Sequence, residues 1–273
     1  MSKIAGFTLV LSLFFVACNK NDGSVSPTET AIDDNHTIVD ASETVYQLSE
    51  DVVNLPFGGR ADGSVLGDDK PWHGTFGCAD VTKTVANGTV TIVYDFSKVK
   101  DGTCNGEKVG GKMTITHTVR PDNFTGVVAR TVTFENFLRD GRTLNGTHNI
   151  TTNFTNGAWT TSEKLGNMTI VTADGKTLTF TSTKTRTKIG NDTQVTGTTS
   201  GKSSDGKEFL ANITKALLFK ASCKATSGNF PVSGTTEIKP FDKDKRIVDF
   251  GDGTCDRQFT VTINGVTVTK IKG

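Results

Sequence analysis

From about Phe76 to the C-terminus the chain alternates polar and apolar residues with a period of two, and tight-turn dipeptides punctuate the alternation. Thr89-Val90-Thr91-Ile92-Val93-Tyr94, Lys112-Met113-Thr114-Ile115-Thr116, Val127 to Phe137 and Thr260-Val261-Thr262-Ile263 are examples. In a strand, successive side chains point to opposite faces, so each run has one apolar and one polar face. Asn87-Gly88, Asp140-Gly141, Asn156-Gly157, Asp174-Gly175, Asp205-Gly206 and Asn264-Gly265 tolerate positive φ and close hairpins with the twist of their strands. Successive strands therefore pair antiparallel. The pattern predicts on the order of a dozen strands, more than an open twisted sheet carries before it curls or splits into two layers. The expected fold class is all-β: one large antiparallel assembly, built as a sandwich, a barrel or a curved half-barrel. Abundant threonine, glycine and asparagine with only 6 prolines suits strands and tight turns.

Ahead of this body the pattern changes. Residues 18–37 are mostly Asn, Asp, Ser and Thr, with too little to bury to offset the entropy of ordering, and are expected to act as a disordered tether. Asp40-Ala41-Ser42-Glu43 has the form of a capping box, and Val45, Leu48 and Val52 follow at helical spacing. The spacing predicts one short helix over 41–54 within a 38–71 helix-and-loop segment. The glycine-rich loop 56–71 then delivers the chain to Trp72 and a β domain over 72–273, long enough at 273 residues in all for a proper core.

At the N-terminus, Lys3 precedes an apolar or small run from Ile4 to Ala17, ending in Phe15-Val16-Ala17-Cys18. The run falls short of the roughly 20 residues that span a bilayer as a helix. It resembles a bacterial lipoprotein signal with its lipobox, with Phe15 where such boxes usually carry leucine. The resemblance implies a signal peptide over 1–17, removal of that peptide, and an acyl chain on the Cys18 sulfur. No acidic residue directly follows Cys18, which by the same resemblance favours lipid-anchored residence in the outer membrane. Asn19 to Gly23 looks like a weak version of the surface-export signal of Bacteroidota lipoproteins, so the periplasmic and surface sides both stay open. The formal charge of +1 falls to about zero once Lys3 is removed, so no strong field steers the chain to nucleic acid.

The chain holds 5 cysteines, and setting Cys18 aside leaves an even number, as pairing in an oxidising compartment requires. Cys78 runs on to Asp95-Phe96 and Asp101-Gly102-Thr103-Cys104; Cys223 runs on to Asp249-Phe250 and Asp252-Gly253-Thr254-Cys255. This possible internal repeat, 78–104 and 223–255, suggests two local disulfides, Cys78 with Cys104 and Cys223 with Cys255. Histidines stand singly at 36, 73, 117 and 148 and no Cys-x-x-Cys is present, so zinc geometry has no support. Asp249, Asp252 and Asp256 are candidate calcium ligands, although Asp-Gly is also the ordinary vocabulary of hairpin turns. The body as a whole resembles a group of Bacteroidota lipoproteins of unassigned function, which implies a location and no activity.

Three surfaces are candidates for binding. Thr177 to Lys188 puts six threonines on one strand face, a row that would suit ice or crystalline polysaccharide if neighbouring strands repeated it in register, and otherwise is a good solvated strand face. The opposite face ends in Lys184, Arg186 and Lys188, expected to meet an anionic group or to keep an edge or outer surface soluble. Trp72, Trp159 and Tyr94 are candidates for stacking on sugars or for core packing. Glu107, Glu135, Glu163, Glu208 and Glu237 stand isolated, and no nucleophile elbow, His-Glu-x-x-His pair or phosphate loop accompanies them. The expectation is a non-enzymatic envelope lipoprotein without cofactor, anchored through Cys18 and binding a glycan or an envelope protein. Alternatives are a lipid or lipoprotein carrier in a half-barrel, favoured by a continuous apolar concavity, and a glycan hydrolase with two facing carboxylates.

Overall fold

The computed structural model describes residues 32–38, 78–104, 106–118, 126–139, 141–155, 158–228 and 230–271. The strands are β1 (Asp80–Ala86), β2 (Thr89–Asp95), a two-residue pair β3 (Thr103–Cys104) and β4 (Glu107–Lys108), β5 (Gly110–Thr118), β6 (Gly126–Arg139), β7 (Arg142–Thr155) and β8 (Ala158–Val171). They continue as β9 (Thr177–Ile189), β10 (Asp192–Lys202), β11 (Glu208–Phe219), β12 (Ser233–Pro240), β13 (Arg246–Asp252), β14 (Gln258–Ile263) and β15 (Val266–Ile271). All but β3 and β4 form one 13-stranded sheet in which each strand pairs with its neighbours in sequence. Every pairing is antiparallel, so the fold is the all-β antiparallel assembly that the alternation predicts.

With an odd number of strands, the edges β1 and β15 run in the same direction. Both carry a lysine on the face that their neighbours bury: Lys83 lies opposite Ile92, and Lys270 opposite Phe259. Inward-pointing charge is a common guard on a sheet edge against pairing with another chain. A single hydrophobic cluster runs from Val90 on β2 to Ile263 on β14, so the curled sheet turns its apolar face inward and its threonine face outward.

Closely packed glycines lie opposite β-bulges in the sheet. Register shifts interrupt β5 against β6 at Gly111 and β10 against β11 at Gly197, where φ is 66° and 136°. A Cβ would lie 2.0 Å from the Asn136 carbonyl oxygen at the first and 2.2 Å from that of Thr183 at the second. At these shifts the partner strand carries the extra residues, one on β6 and two on β11, and such insertions sharpen the local twist. Gly197→Ala is therefore expected to cost on the order of 3 kcal/mol, from a left-handed backbone plus a backbone clash, read as a lower denaturation midpoint.

Two disulfides close the connections near the two edges. Cys78–Cys104 encloses the β1–β2 hairpin and Cys223–Cys255 encloses β12–β13, with sequence separations of 26 and 32. The two corners match in detail: Asp95 accepts from the Ser97 amide and Asp249 from that of Gly251, both at 2.9 Å, while Phe96 and Phe250 are both buried. A four-residue helix, α2 (Lys224–Ser227), follows Cys223.

Residues 32–38 form a helical segment, α1, in place of the last part of the tether expected over 18–37. Ile32 and Ile38 are buried, and the His36 ring packs 4.6 Å from Phe259, 5.7 Å from Phe250 and 6.0 Å from Phe230. Asp34 accepts from the Ser204 amide at 2.6 Å. The polar composition hides this because the stabilising partners are aromatic rings from distant parts of the chain. Cys18, the 41–54 helix, Trp72, His73 and the Asn156-Gly157 turn lie outside the described residues.

Candidate functional site

Period two divides the middle strands into two faces of different chemistry. Inward, one row is apolar: Met168 lies opposite Phe180, Phe180 opposite Gly201, and Gly201 opposite Phe209. Two residues further along the strands the row turns polar, and beyond that it turns ionic. Glu163 on β8 lies opposite Ile150 and Lys184, with His148 and Arg186 on its diagonals.

The Glu163 carboxylate is buried with all of its partners. Arg186 Nε donates to Oε1, and His148 Nε2 lies 3.1 Å from Oε2. Next to them the Thr152 and Thr161 hydroxyls meet at 3.0 Å, and Arg130 Nη2 donates to Thr152 at 3.4 Å. Burial pulls the Glu163 carboxyl up, but the Arg186 charge, the His148 hydrogen bond and the Lys184 charge outweigh it and hold the group at about 2. Burial lowers the pKa of His148 against the raising effect of Glu163. The imidazole is therefore neutral, with Nε2–H donating to the carboxylate, and Nδ1 finds no hydrogen-bond partner among the described residues.

This layer corrects the sequence expectation for Lys184 and Arg186. They are 4% and 1% exposed, and β9 is a central strand. Alternation puts them on the face of Leu178 and Phe180, where Glu163 of the next strand offsets their charge. Lys188 alone reaches the surface, 5.9 Å over the Trp159 ring. Tyr94 is also a core residue: it is buried, and burial pushes its hydroxyl up to about 12. Trp159 packs partly buried against the core.

Outward, the strands present hydroxyls and amides. The threonine row of β9 is extended by both neighbours: Thr185 lies opposite Ser162 and Thr196, and Thr183 opposite Lys164 and Thr198. A shallow depression of about 490 Å³ opens on β8–β11, lined among others by Thr169, Thr179, Thr181, Ser200, Lys202 and Glu208. Its rim carries one charge of each sign, so it has no field to select an ion. The outward face of the described strands has no apolar band of the kind that faces lipid in a membrane barrel.

The remaining candidates do not come together. Asp252 accepts from the Thr254 amide at 3.1 Å and Asp256 from that of Gln258 at 3.1 Å, each closing its own turn as Asp249 does. No group of three or more His, Cys, Asp or Glu side chains converges among the described residues. Glu107 and Glu135 are exposed and Glu237 pairs with Lys245 at 3.1 Å. Among the described residues no helix is long and apolar enough to cross a membrane. The chain matches no protein-family model, no curated protein and no solved structure.

Proposed function

We propose that this protein is a non-enzymatic lipoprotein of the cell envelope, held to the outer membrane by an acyl chain on Cys18, whose outward β face binds a glycan. The division of the sheet carries the reading. The inward face is consumed by packing and by the Glu163 layer, so the hydroxyl face is the surface left for a partner. Hydroxyls and amides in the absence of a one-signed field suit polyols better than nucleic acid or anionic lipid. A lipid carrier is not favoured, because the ionic layer cuts across the apolar inner surface that such a ligand would need.

The two disulfides support an oxidising compartment. Docked residues 32–38 leave only residues 19–31 between Cys18 and the body, a reach of no more than about 50 Å at ~3.5 Å per extended residue. Growth with a radiolabelled fatty acid should label the full chain, and Cys18→Ala should abolish the label and release the protein from membranes. An unlabelled wild-type chain would sink the anchor. Screening the detergent-solubilised full chain against immobilised polysaccharides tests the binding half, and silence against all of them would remove it.

A further inference from the structure

The depression over β8–β11 holds polar groups that are not committed to one another. Asn167, Lys202 and Glu208 line it, and all three are exposed. Lys202 and Glu208 lie directly opposite each other on β10 and β11, yet no ion pair or hydrogen bond joins them or engages either side chain among the described residues. Neighbouring charges of opposite sign do pair: Lys207 with Asp242 at 2.5 Å and Lys245 with Glu237 at 3.1 Å. Asn167 takes a φ of 49° at a bulge of β8 against β9, the kind of irregularity that re-aims a side chain. Its amide is likewise unengaged among the described residues. Below these groups β9 and β10 come so close that a Cβ on Gly201 would lie 2.1 Å from the Thr179 carbonyl oxygen.

An aromatic ring stands at the β12 side of the same depression. The Phe241 amide donates to the Glu208 carbonyl at 2.9 Å, one residue past the pairing of Phe209 with Pro240. Phe241 therefore continues the ladder and falls on the face of Glu208, since directly opposite residues share a face. It is 81% exposed, more than any other large apolar side chain described, and none of the other described phenylalanines is exposed. A single exposed ring is ordinary on a protein surface. Its place beside three uncommitted polar groups in one concavity is what gives it a use.

We infer that the depression and Phe241 form one site for a short stretch of uncharged glycan that crosses the strands from β8 to β12. The inference rests on the glycan reading above and names its place and contacts. Four strand spacings of about 4.8 Å give a span of about 19 Å, the length of an oligosaccharide. The C–H face of one sugar stacks on the Phe241 ring, which supplies rigid apolar contact area. Adjacent hydroxyls of the glycan are held by Lys202, which only donates, and by Glu208, which only accepts, while the Asn167 amide does both.

Other occupants fit less well. An anionic sugar would set its charge against Glu208 as well as Lys202. A lipid tail would desolvate the same two charges without a hydrogen bond in return. At about 490 Å³ the depression is the size of a small-ligand site, but it is shallow, so each sugar contributes little and affinity should rise with the number of sugars engaged.

The test uses the detergent-solubilised full chain, with cellulose, a neutral mannan and a neutral xylan as uncharged probes, oligosaccharides cut from them as competitors, and polygalacturonate as the anionic probe. Wild-type protein should be retained on at least one neutral polysaccharide, and its oligosaccharides should compete, longer ones better than shorter. Phe241→Ala should weaken retention tenfold or more, whereas Phe241→Trp keeps an aromatic face and should stay within threefold. Glu208→Gln and Lys202→Met should each weaken it fivefold or more at an unchanged melting temperature, so the result does not depend on one variant. Val127→Ala, at a 57% exposed site on β6, should leave retention within twofold. Retention that no oligosaccharide competes, or that the Phe241, Glu208 and Lys202 variants all leave within twofold, would overturn this site while leaving the glycan reading intact. Failure to bind any polysaccharide would overturn both. Preference for polygalacturonate would overturn the ligand class.

Discussion

Glu163→Gln lowers the stability of the folded chain by roughly 3–5 kcal/mol, the usual cost of removing one partner from a buried ion pair. The carboxylate is 1% exposed and Arg186 is also 1% exposed, so the guanidinium left behind cannot be rescued by water without opening the sheet. The effect exceeds that of a lost surface pair such as Lys98 with Asp80, which is solvated on both sides. Chemical denaturation of wild type and variant measures it as a shift in midpoint. The pH dependence carries a second signature. Because the Glu163 carboxyl is held at about 2, below its ordinary 4.5, its contribution is fully present above pH 4.5 and is lost as pH falls toward 2. His148 acts in the same direction: its lowered pKa gives stability present above 6.5 and lost as acid charges the unfolded chain. Wild-type stability should fall on acidification through both windows, and Glu163→Gln should lack the lower one. An unchanged midpoint would mean that the layer holds nothing.

The second large effect is at the Cys223–Cys255 bridge. Replacing both residues by serine should cost about 3.5 kcal/mol, the entropy released when a loop with a sequence separation of 32 is no longer closed in the unfolded chain. The loss should also be local. Phe230, Phe250 and Phe259, which surround His36, all lie in or beside the bridged segment. Amide exchange should therefore speed up at residues 32–38 and along β12–β14 before it does in β5–β9. Uniform loosening of the whole sheet would contradict that.

The hairpins were legible in the sequence because each strand repeats with a period of two between turns such as Asn87-Gly88 and Asn264-Gly265, which do adopt positive φ. The disulfides were legible from their matching corners. The ionic layer was not, because His148, Glu163 and Arg186 are single letters separated by 15 and 23 positions, with no local motif among them. The available signal was parity: counting in twos from Leu178 and Phe180 places Lys184 and Arg186 on the buried face. The layer has a further use that parity suggests. Strands reading Thr-x-Thr-x could slip by two residues and keep both faces correct, and a buried charge with fixed diagonals is what such a slip would break. Residues 32–38 escaped notice for a different reason. Asp33, Asp34 and Asn35 look solvated, and what orders them is a pocket of phenylalanines assembled from the far end of the chain.

Threonine-methyl NMR of the full chain, titrated with the polysaccharide that retains it, tests the division between the two faces of the sheet most directly. The account predicts shifts at outward threonines such as Thr183 and Thr198, with the buried Thr152 and Thr161 unmoved. Shifts confined to Thr152 and Thr161, or none at any outward threonine, would contradict it.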